Sequence, residues 1–400
     1  MAHLTLLAGD GTSRRADLVD TSGFERPTAP LRSRIAYAAA HVVPHTHADN
    51  TPGQPADIDW DATLAFRRNV YSWGLGVADA MDTAQRNMGL DAAATRELIT
   101  RSAQVAREEG GSVVVGVNTD HIADERISID QVIDAYLEQL HFTEEQGAGP
   151  VLMASRHLAR AAESAEDYRR VYRAVLSQAT TPVVLHWLGT AFDPQLQGYF
   201  GADDWQTASA VLREIIEDNV DRVAGVKMSL LDAASEVSVR ERLPEGVRMF
   251  TGDDFNYVGL IGGADVPDAP QPPRDPSAAQ QHSDALLGAF AALTPVASAA
   301  IQALDAGDAA RYLDILAPTE ELSRQVFAAP TFYYKTGVAF LAWLNGHQPA
   351  FQMVGGLHSA RSLPHLSRIV ELANDAKAFE RPELAAERWH AMLRLNGLDA

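Results

Sequence analysis

Residues 220–254, VDRVAGVKMSLLDAASEVSVRERLPEGVRMFTGDD, decide the fold that we predict for this chain. Two short apolar runs, 223–226 and 247–250, flank a segment of helical composition at 231–243. Apolar runs of this length, bounded by turn residues, are typical of strands that are buried on both faces of a parallel sheet. The stretch therefore predicts a strand, a helix and a second strand.

Polar residues follow both predicted strands. Lys227 and Ser229 come after the first strand, and Asp253 and Asp254 end the second within the turn T-G-D-D. In α/β folds, ligands bind outside the carboxyl ends of the strands. We therefore expect the chemistry of this protein at these residues.

The same alternation of strands and helices runs through about 230 residues, without a Gly-rich dinucleotide-binding motif. This favours an α/β fold of the (β/α)8 TIM-barrel type over a doubly wound sheet. We expect an N-terminal arm at 1–30, the barrel at 31–290 and a C-terminal helical extension at 291–400. The other strands are predicted at 35–43, 76–81, 112–117, 150–154 and 182–185, with the last one in HSDALLGAF after a Pro-rich loop at 265–281. Further helices are predicted at 60–73, 91–109, 129–146, 164–178, 205–218, 286–306, 309–327, 331–344 and 363–378.

The composition narrows the classes of function. The chain has 33 basic and 53 acidic residues, a net charge of −20, and no basic run, which argues against nucleic acid or an anionic membrane as a partner. It has no cysteine, so disulfides, thiolate metal sites and thiol nucleophiles are excluded. We find neither the features of a signal peptide nor an apolar run of membrane-spanning length. We expect a cytoplasmic protein that acts on a small molecule.

Lys227 is the strongest candidate for a catalytic residue. A lysine at the inner end of a buried strand is costly unless it is paired or neutral, because burial disfavours its charged form. A neutral lysine is a nucleophile that can form a Schiff base with a carbonyl substrate. A structural ion pair with a carboxylate such as Asp253 is the alternative.

Further polar groups are expected around Lys227 at the strand ends. His186 is the best candidate for a general acid or base, because the pKa of histidine lies near neutral pH; a hydrogen-bonded core histidine is the alternative. Asp82 and Asp253 can accept protons, cap the helices that follow, or bind Mn, Mg or Zn together with His186. The predicted catalytic residues are Lys227, His186 and Asp253, and the predicted substrate-binding residues are Asp82, Thr83, Asn118, Ser155, His157, Ser229, Asp254 and His282.

The pattern V-A-G-V-K at 223–227, followed by a strand that ends in T-G-D-D at 251–254, resembles the dihydrodipicolinate synthase / N-acetylneuraminate lyase superfamily of class I aldolases. AHVVP before the first loop and PTFYYKTGVAFLAWLNG at 330–346 extend the resemblance over roughly 34–346. HWLG and HSDALLG resemble a poorly characterised branch that is labelled dihydrodipicolinate-synthase-like. The resemblance implies a TIM barrel in which Lys227 forms the Schiff base.

Three segments depart from the pattern of the superfamily. Its G-T-T-G-E loop, which holds the substrate carboxylate, corresponds to D-T-A-Q at 82–85. The P-Y-Y segment with the catalytic tyrosine falls on S-R-H-L at 155–158, and Y-N-x-P falls on H-W-L-G at 186–189. The lysine is kept while the proton relay and the acid-binding loop are changed, so we expect a substrate other than pyruvate.

Other polar groups carry weaker signals. His41, His45 and His47 in H-V-V-P-H-T-H resemble the metal-binding start of amidohydrolases, but the partners of that pattern are missing. We therefore expect loop histidines in solvent. Lys335 is expected on a C-terminal helix outside the site. Arg361 is expected at the surface, with the binding of an acidic substrate group as the alternative.

We predict a Schiff-base-forming lyase of the class I aldolase type. Its substrate would be a small keto compound, a keto-sugar or sugar-derived keto acid that is cleaved or dehydrated, because Asp82 can accept hydrogen bonds from hydroxyl groups. No cofactor is expected, and the chain is expected to form a homo-oligomer. Two alternatives stay open: a divalent-metal-dependent isomerase, epimerase or hydrolase on the same barrel, and a non-catalytic sugar-binding protein.

Overall fold

Eight parallel strands close into a barrel in the computed structural model, which describes residues 3–21 and 23–398. An antiparallel hairpin of β1 and β2 precedes the barrel, which β3 to β10 form in sequence order, with β10 pairing with β3. The predicted TIM barrel is confirmed. The strands are β1 (His3–Leu7), β2 (Ser13–Asp17), β3 (Ala36–Ala39), β4 (Gly76–Asp79), β5 (Val113–Val117), β6 (Gly149–Leu152), β7 (Val183–Leu188), β8 (Val223–Ser229), β9 (Arg248–Thr251) and β10 (Asp284–Leu287).

Helices surround the barrel and form the C-terminal third of the chain. Asp91 caps α2 by accepting a hydrogen bond from the backbone N–H of Ala94 at 2.8 Å. Ser128 and Gln131 form a capping box at the start of α3. The helices are α1 (Trp60–Ser72), α2 (Ala92–Glu109), α3 (Ile129–Glu145), α4 (Arg156–Ala161), α5 (Ala165–Gln178), α6 (Trp205–Glu217), α7 (Ala233–Arg240), α8 (Tyr257–Gly262), α9 (Ala289–Ala292), α10 (Thr294–Asp305), α11 (Ala309–Leu316), α12 (Thr319–Val326), α13 (Tyr334–Leu344), α14 (Leu363–Asp375) and α15 (Pro382–Leu395).

The barrel strands are buried on both faces, as their continuous apolar runs predict. All residues of β5, VVVGV, and of β7, VVLHWL, are buried. Outward-facing side chains pack under the helices, and each fully buried valine or leucine stabilises the fold by about 1.5–3 kcal/mol. A layer of side chains fills the barrel interior: Ala39, Ala78, Met81, Val114, Val151, Met153, Val184, Phe250 and Leu286.

The structure corrects several predicted element ends. β8 continues through Ser229, so Lys227 lies inside the strand and not after it. β3 ends at Ala39, earlier than the predicted 43. Leu286 belongs to β10 and does not begin a helix, because its neighbours pair with β3.

The C-terminal helices also differ from the prediction in their breaks. The segment predicted as one helix at 309–327 is divided into α11 and α12 at Pro318, because proline lacks the N–H that a helix interior needs. The last helix, α15, lies within the helical extension expected at 291–400, although no bounds are predicted for it. Pro382 stands in its first turn, a position that proline favours.

The C-terminal helices pack on the hairpin and on the carboxyl end of the barrel. The backbone N–H of Leu7 donates to Ser367 Oγ of α14 at 2.7 Å, and Trp389 Nε1 of α15 donates to the carbonyl of Thr5 at 2.7 Å. α13 contacts the 3-10 turn Asp82–Ala84 that follows β4. In the described part of the chain, none of the helices combines the length and the apolar character that crossing a membrane requires.

Candidate active site

Lys227 lies near the carboxyl end of β8, with 8% of its surface exposed. Across the β7–β8 ladder it is opposite His186, and on the other side it is opposite Phe250 of β9. Burial lowers the pKa of Lys227, and the carboxyl groups of Asp82 and, when it is ionised, Asp254 oppose that effect. Among the described residues, its amine has no hydrogen-bond or ion-pair partner. The buried amine is therefore available to react.

Gly252 leaves the space through which the Lys227 side chain passes. A Cβ atom at residue 252 would lie 2.9 Å from Lys227 Cε, 2.9 Å from the carbonyl oxygen of Met228, and would overlap Ser229 Oγ. Carbon contacts are favourable at about 3.5–4.0 Å. The glycine of the T-G-D-D turn is therefore needed for the close approach of β8 and the turn after β9.

The acid that faces Lys227 is Asp254. Its Oδ1 accepts a hydrogen bond from the backbone N–H of Ala289 at 2.9 Å, at the start of α9. Burial raises the pKa of Asp254 to about 8, although that hydrogen bond and the charge of Lys227 act in the opposite direction. At neutral pH this carboxyl therefore carries a proton that it can donate.

Asp253 points into its own turn, in contrast to Asp254. Its Oδ1 accepts hydrogen bonds from the backbone N–H groups of Phe255 at 2.9 Å and Asn256 at 3.2 Å, and its Oδ2 accepts one from Asn256 Nδ2 at 2.9 Å. Asp253 is thus held within the turn before α8, whose N-cap residue is Asn256, so the alternative in which Asp253 caps that helix is not observed. The charge of Asp253 does not act on Lys227, whereas that of Asp254 does.

His186 is fully buried beside Lys227. Its Nε2 lies 3.2 Å from Ser229 Oγ, and its Nδ1 has no hydrogen-bond partner among the described residues. Burial, with a smaller effect from the charge of Lys227, keeps the pKa of His186 well below its usual range. The imidazole is therefore neutral at neutral pH and cannot act as the acid in the resting site.

Tyr334 is a site residue that the sequence analysis missed. It lies at the start of α13, and its hydroxyl is 2.7 Å from Thr83 Oγ1. Burial, the charge of Asp82 and that of Asp254 together raise the pKa of Tyr334 well above its usual range, and the bond to Thr83 only partly opposes this. Although residues 155–158 contain no tyrosine, Tyr334 brings a protonated tyrosine hydroxyl to the site from a C-terminal helix.

Lys335 lies on a C-terminal helix, α13, as expected, and that helix packs on the turn after β4. Only 2% of the surface of Lys335 is exposed. The charges of Asp82, Arg156 and Asp193 all act on its amine. Helix α13 brings Tyr334 and Lys335 together to the turn after β4, a long-range contact that no local pattern indicates.

A polar cavity of about 250 Å³ opens above the ends of β4 to β7, and it meets the cluster around Lys227 at Asp82, whereas Lys227 and Asp254 do not line it. Asp82, half-buried, lines it without a side-chain hydrogen bond to any described residue. Asn118 and His157 also line it. The remaining wall includes Asn87, Thr119, Asp120, Glu125, Arg156, Arg160, Asp193 and Gln195.

The predicted substrate-binding residues around this cavity already have internal partners. Asn118 Oδ1 accepts a hydrogen bond from the backbone N–H of Thr119 at 2.7 Å. Thr119 Oγ1 lies 2.7 Å from both Ser155 Oγ and His157 Nδ1, and Ser155 Oγ accepts from the backbone N–H of Leu158 at 3.1 Å. These hydrogen bonds fix the orientation of the side chains that form this wall of the cavity.

The structure does not bring His282 to the site. It precedes β10, so it lies at the amino end of the barrel, where the charges of Arg34, Asp284 and Asp265 act on it. The run HSDALLGAF does not indicate where β10 begins, so the sequence alone does not separate a position before this strand from one after it. Burial lowers the pKa of His282 to about 4.

The loop histidines and Arg361 also differ from expectation. His45 and His47 are exposed, as expected, but His41 is 1% exposed and its Nε2 lies 3.0 Å from Gln348 Oε1. Arg361 is half-buried and donates to the carbonyl of Ala328 at 2.6 Å. His41 and Arg361 therefore make contacts with the C-terminal region.

Within residues 3–21 and 23–398, no three His, Cys, Asp or Glu side chains lie together in a way that could hold a metal ion. The alternative metal set of Asp82, His186 and Asp253 is therefore not assembled. The turn bonds of Asp253 account for this.

Solved structures of dihydrodipicolinate synthases share this fold. The 4-hydroxy-tetrahydrodipicolinate synthase of Methylacidiphilum fumariolicum is 15% identical over 86% of this chain and 99% of that chain, with a TM-score of 0.59. The dihydrodipicolinate synthase of Aquifex aeolicus is 12% identical over 86% and 100%, with a TM-score of 0.59. That of Thermotoga maritima is 12% identical over 86% and 99%, with a TM-score of 0.60. The expected fold of this superfamily is confirmed.

No curated protein sequence matches the chain. The sequence profile of one family matches residues 4–398, which is nearly the whole chain. The chain therefore belongs to the family described as "Protein of unknown function (DUF993)".

Proposed function

We propose that this protein is a lyase that forms a Schiff base between Lys227 and a small keto compound. One observation carries the proposal: a buried lysine at the carboxyl end of a barrel strand, without a hydrogen-bond or ion-pair partner among the described residues. A structural lysine at this depth would need a paired carboxylate. Active sites of TIM barrels lie at this end of the strands.

The neighbours of Lys227 supply the protons that Schiff-base formation needs. The neutral amine attacks the substrate carbonyl and gives a carbinolamine. Asp254 then donates its proton to the carbinolamine hydroxyl, which leaves as water, and an iminium forms. We assign this acid role to Asp254, since Asp253 is engaged in its turn and His186 is neutral.

The iminium withdraws electrons from the adjacent carbon, so that a neighbouring C–C or C–O bond can break. The hydroxyl of Tyr334, held by Thr83, is our candidate for proton exchange with a substrate hydroxyl. The proposed outcome is C–C cleavage or dehydration. His186 holds Ser229 beside Lys227 and has a supporting role.

The polar cavity supports a small, hydroxylated substrate. Its volume of about 250 Å³ lies below the usual range of roughly 300–1,000 Å³ for small-molecule pockets. Asp82 lines it with a carboxylate that can accept hydrogen bonds from hydroxyl groups. We propose a keto-sugar or a sugar-derived keto acid. We also expect the protein to be cytoplasmic and to form a homo-oligomer. Size-exclusion chromatography with light scattering would test the oligomeric state.

Borohydride trapping tests the proposal. The protein is incubated with keto acids and keto-sugars, reduced with borohydride and digested, and the peptides are weighed by mass spectrometry. We expect a reduced adduct on the peptide that carries Lys227, and none in Lys227→Arg, because a guanidinium does not form a Schiff base under these conditions.

Lys377 provides the internal control in the same digest. It is exposed, so an adduct there at equal yield would mean non-specific reaction. Absence of an adduct on Lys227 from every keto compound would reject the Schiff-base proposal and would favour a non-catalytic sugar-binding protein.

A further inference from the structure

One wall of the polar cavity presents hydrogen-bond donors that have no protein partner. Asn118, which follows β5, and Arg156, the first residue of α4, form this donor wall. Leu188, at the end of β7, lines the same cavity and lies opposite Ser229, two residues beyond Lys227 on β8. The cavity therefore extends to the strand that pairs with the strand of the proposed Schiff base.

The side-chain amide of Asn118 has one possible orientation. Its Oδ1 accepts a hydrogen bond from the backbone N–H of Thr119 at 2.7 Å, and a flipped amide would bring two N–H groups against each other. Nδ2 is therefore the atom that is left, and it donates to none of the described residues. Asn118 is only 4% exposed and still lines the cavity. Because polar groups at this depth are normally hydrogen-bonded, Nδ2 indicates a ligand that accepts from it.

Arg156 is held differently from an arginine that serves the fold alone. Arg67 uses all three of its nitrogens in hydrogen bonds to Asp79 and to two backbone carbonyl groups. Arg156 donates from Nε to Asp193 Oδ2 at 2.6 Å, and neither of its Nη nitrogens donates to a described residue. Asp193 is fixed in turn, because its Oδ1 accepts from the backbone N–H of Gln195 at 3.1 Å. The guanidinium is thus oriented through one nitrogen and keeps the other two for a ligand.

The chemistry of this wall suits a carboxylate. The planar guanidinium binds both oxygens of a carboxylate at once. Arg160, which also lines the cavity, donates to the carbonyl oxygen of Glu125 and to the side-chain oxygen of Gln195, so its hydrogen bonds go to neutral groups and its positive charge stays available. A phosphate carries about −1.5 to −2 charges, and it fits less well because the carboxylates of Asp82 and Glu125 line the same cavity.

We propose that Arg156 and Asn118 bind a carboxylate group of the substrate, which makes the substrate a sugar-derived keto acid and not a neutral keto-sugar. The two Nη nitrogens of Arg156 donate to the two carboxylate oxygens, and Asn118 Nδ2 donates to one of them. Asp82 accepts hydrogen bonds from hydroxyl groups of the same molecule. The inference rests on the proposed function, in which the carbonyl of this substrate reacts with Lys227.

Probes without a carbonyl group test the carboxylate site separately from the Schiff base. Sorbitol, gluconate and sorbitol 6-phosphate have hydroxylated chains of equal length that differ in one end group, which is neutral, a carboxylate or a phosphate. Their binding is measured by ligand-observed NMR titration. We expect gluconate to bind at least about tenfold more tightly than either of the others. Equal affinities for gluconate and sorbitol would overturn the proposal, and so would tighter binding of sorbitol 6-phosphate.

Two variants test the residues of the donor wall. Asn118→Asp keeps the size of the side chain and the oxygen that accepts from Thr119, but it replaces the donor by a negatively charged oxygen. Arg156→Met removes the guanidinium. We expect each variant to weaken gluconate binding by about ten- to a hundredfold and to change sorbitol binding by less than about twofold.

Arg170→Met is the matched control, because Arg170 is an exposed arginine on α5 that does not line the cavity. It should leave the binding of both probes unchanged. Urea unfolding of every variant verifies that it is folded. Wild-type affinity for gluconate in folded Asn118→Asp or in folded Arg156→Met would overturn the proposal.

Borohydride trapping then connects the carboxylate site with Lys227. Fructuronate is fructose with its terminal carbon oxidised to a carboxylate, so the two compounds present the same ketone. At equal concentrations below saturation, we expect fructuronate to give the Lys227 adduct at least about tenfold faster than fructose, and Arg156→Met to remove this difference. A difference that persists in Arg156→Met would contradict the proposal. Absence of any adduct would instead reject the Schiff base, whereas gluconate binding decides the carboxylate site in either case.

Discussion

Gly252→Ala is the substitution for which the geometry gives the clearest expectation. The new methyl group would lie 2.9 Å from Lys227 Cε and from the Met228 carbonyl oxygen, and would overlap Ser229 Oγ. The favourable separation is about 3.5–4.0 Å, so β8 or the lysine side chain has to move by more than half an ångström. Overpacking of this kind costs about 1–3 kcal/mol.

A second contribution comes from the serine. Its hydroxyl must rotate away from the methyl group and lose its contact of 3.2 Å with His186 Nε2, which costs about 0.5–1.5 kcal/mol. The sum is a loss of about 1.5–4.5 kcal/mol in the free energy of unfolding. Because Lys227 is displaced as well, we expect the yield of the borohydride adduct to fall by at least about tenfold. A tenfold change corresponds to about 1.4 kcal/mol, which is the cost that we assign to moving the amine out of its reactive position.

Urea unfolding and adduct yield measure the two effects separately. Gly9→Ala is the matched control, since a Cβ there would meet no heavy atom within 4 Å. Adding Ser229→Ala to Gly252→Ala should restore part of the stability but not the adduct, because the contact with Lys227 remains. A Gly252→Ala protein as stable and as reactive as the wild type would refute our account of the lysine's position.

Three further experiments test other parts of the structure. Glu236 is buried, and burial raises its pKa to about 8, above the value of about 4.3 in the unfolded chain. Ionisation of Glu236 therefore favours the unfolded chain. The free energy of unfolding should fall as the pH rises from about 4.3 to 8. Urea midpoints at pH 5 and pH 9 should show that Glu236→Gln loses less stability over this range than the wild type; equal losses would contradict the assignment. Arg67→Ala should lower the free energy of unfolding by about 3–5 kcal/mol because it leaves Asp79 buried without its partner. Arg68→Ala, on the exposed side of the same helix, should lower it by less than about 1 kcal/mol. Similar costs would show that the buried pair contributes no more to stability than the exposed one. Tyr334→Phe and Thr83→Val should each cost about 0.5–1.5 kcal/mol, and their double variant should cost less than the sum, because both remove the same hydrogen bond; additive costs would mean that the bond does not form.

The barrel could be predicted because the residue pattern that indicates each strand or helix lies within that element itself. Each strand is an apolar run that is buried on both faces, and the regular spacing of runs and helices indicates parallel pairing. Lys227 could be found in the same way, since a charged residue within such a run, here at the end of Val223–Ser229, is conspicuous.

The other site residues depend on contacts across the chain. Tyr334 and Lys335 reach the turn after β4 only because α13 packs on that end of the barrel, some 250 residues away in sequence. Asp253 and Asp254 are neighbours in one turn, and the sequence cannot indicate which of them accepts the turn's own N–H groups.

The crystal structure of the protein reduced by borohydride in the presence of the best-trapped keto compound tests the central claim most directly. We predict continuous density from Lys227 Nζ to the former carbonyl carbon, with Asp254 and the hydroxyl of Tyr334 within hydrogen-bond distance of the adduct. A compound bound in the cavity without a link to Lys227, or linked to Lys335 instead, would contradict the account.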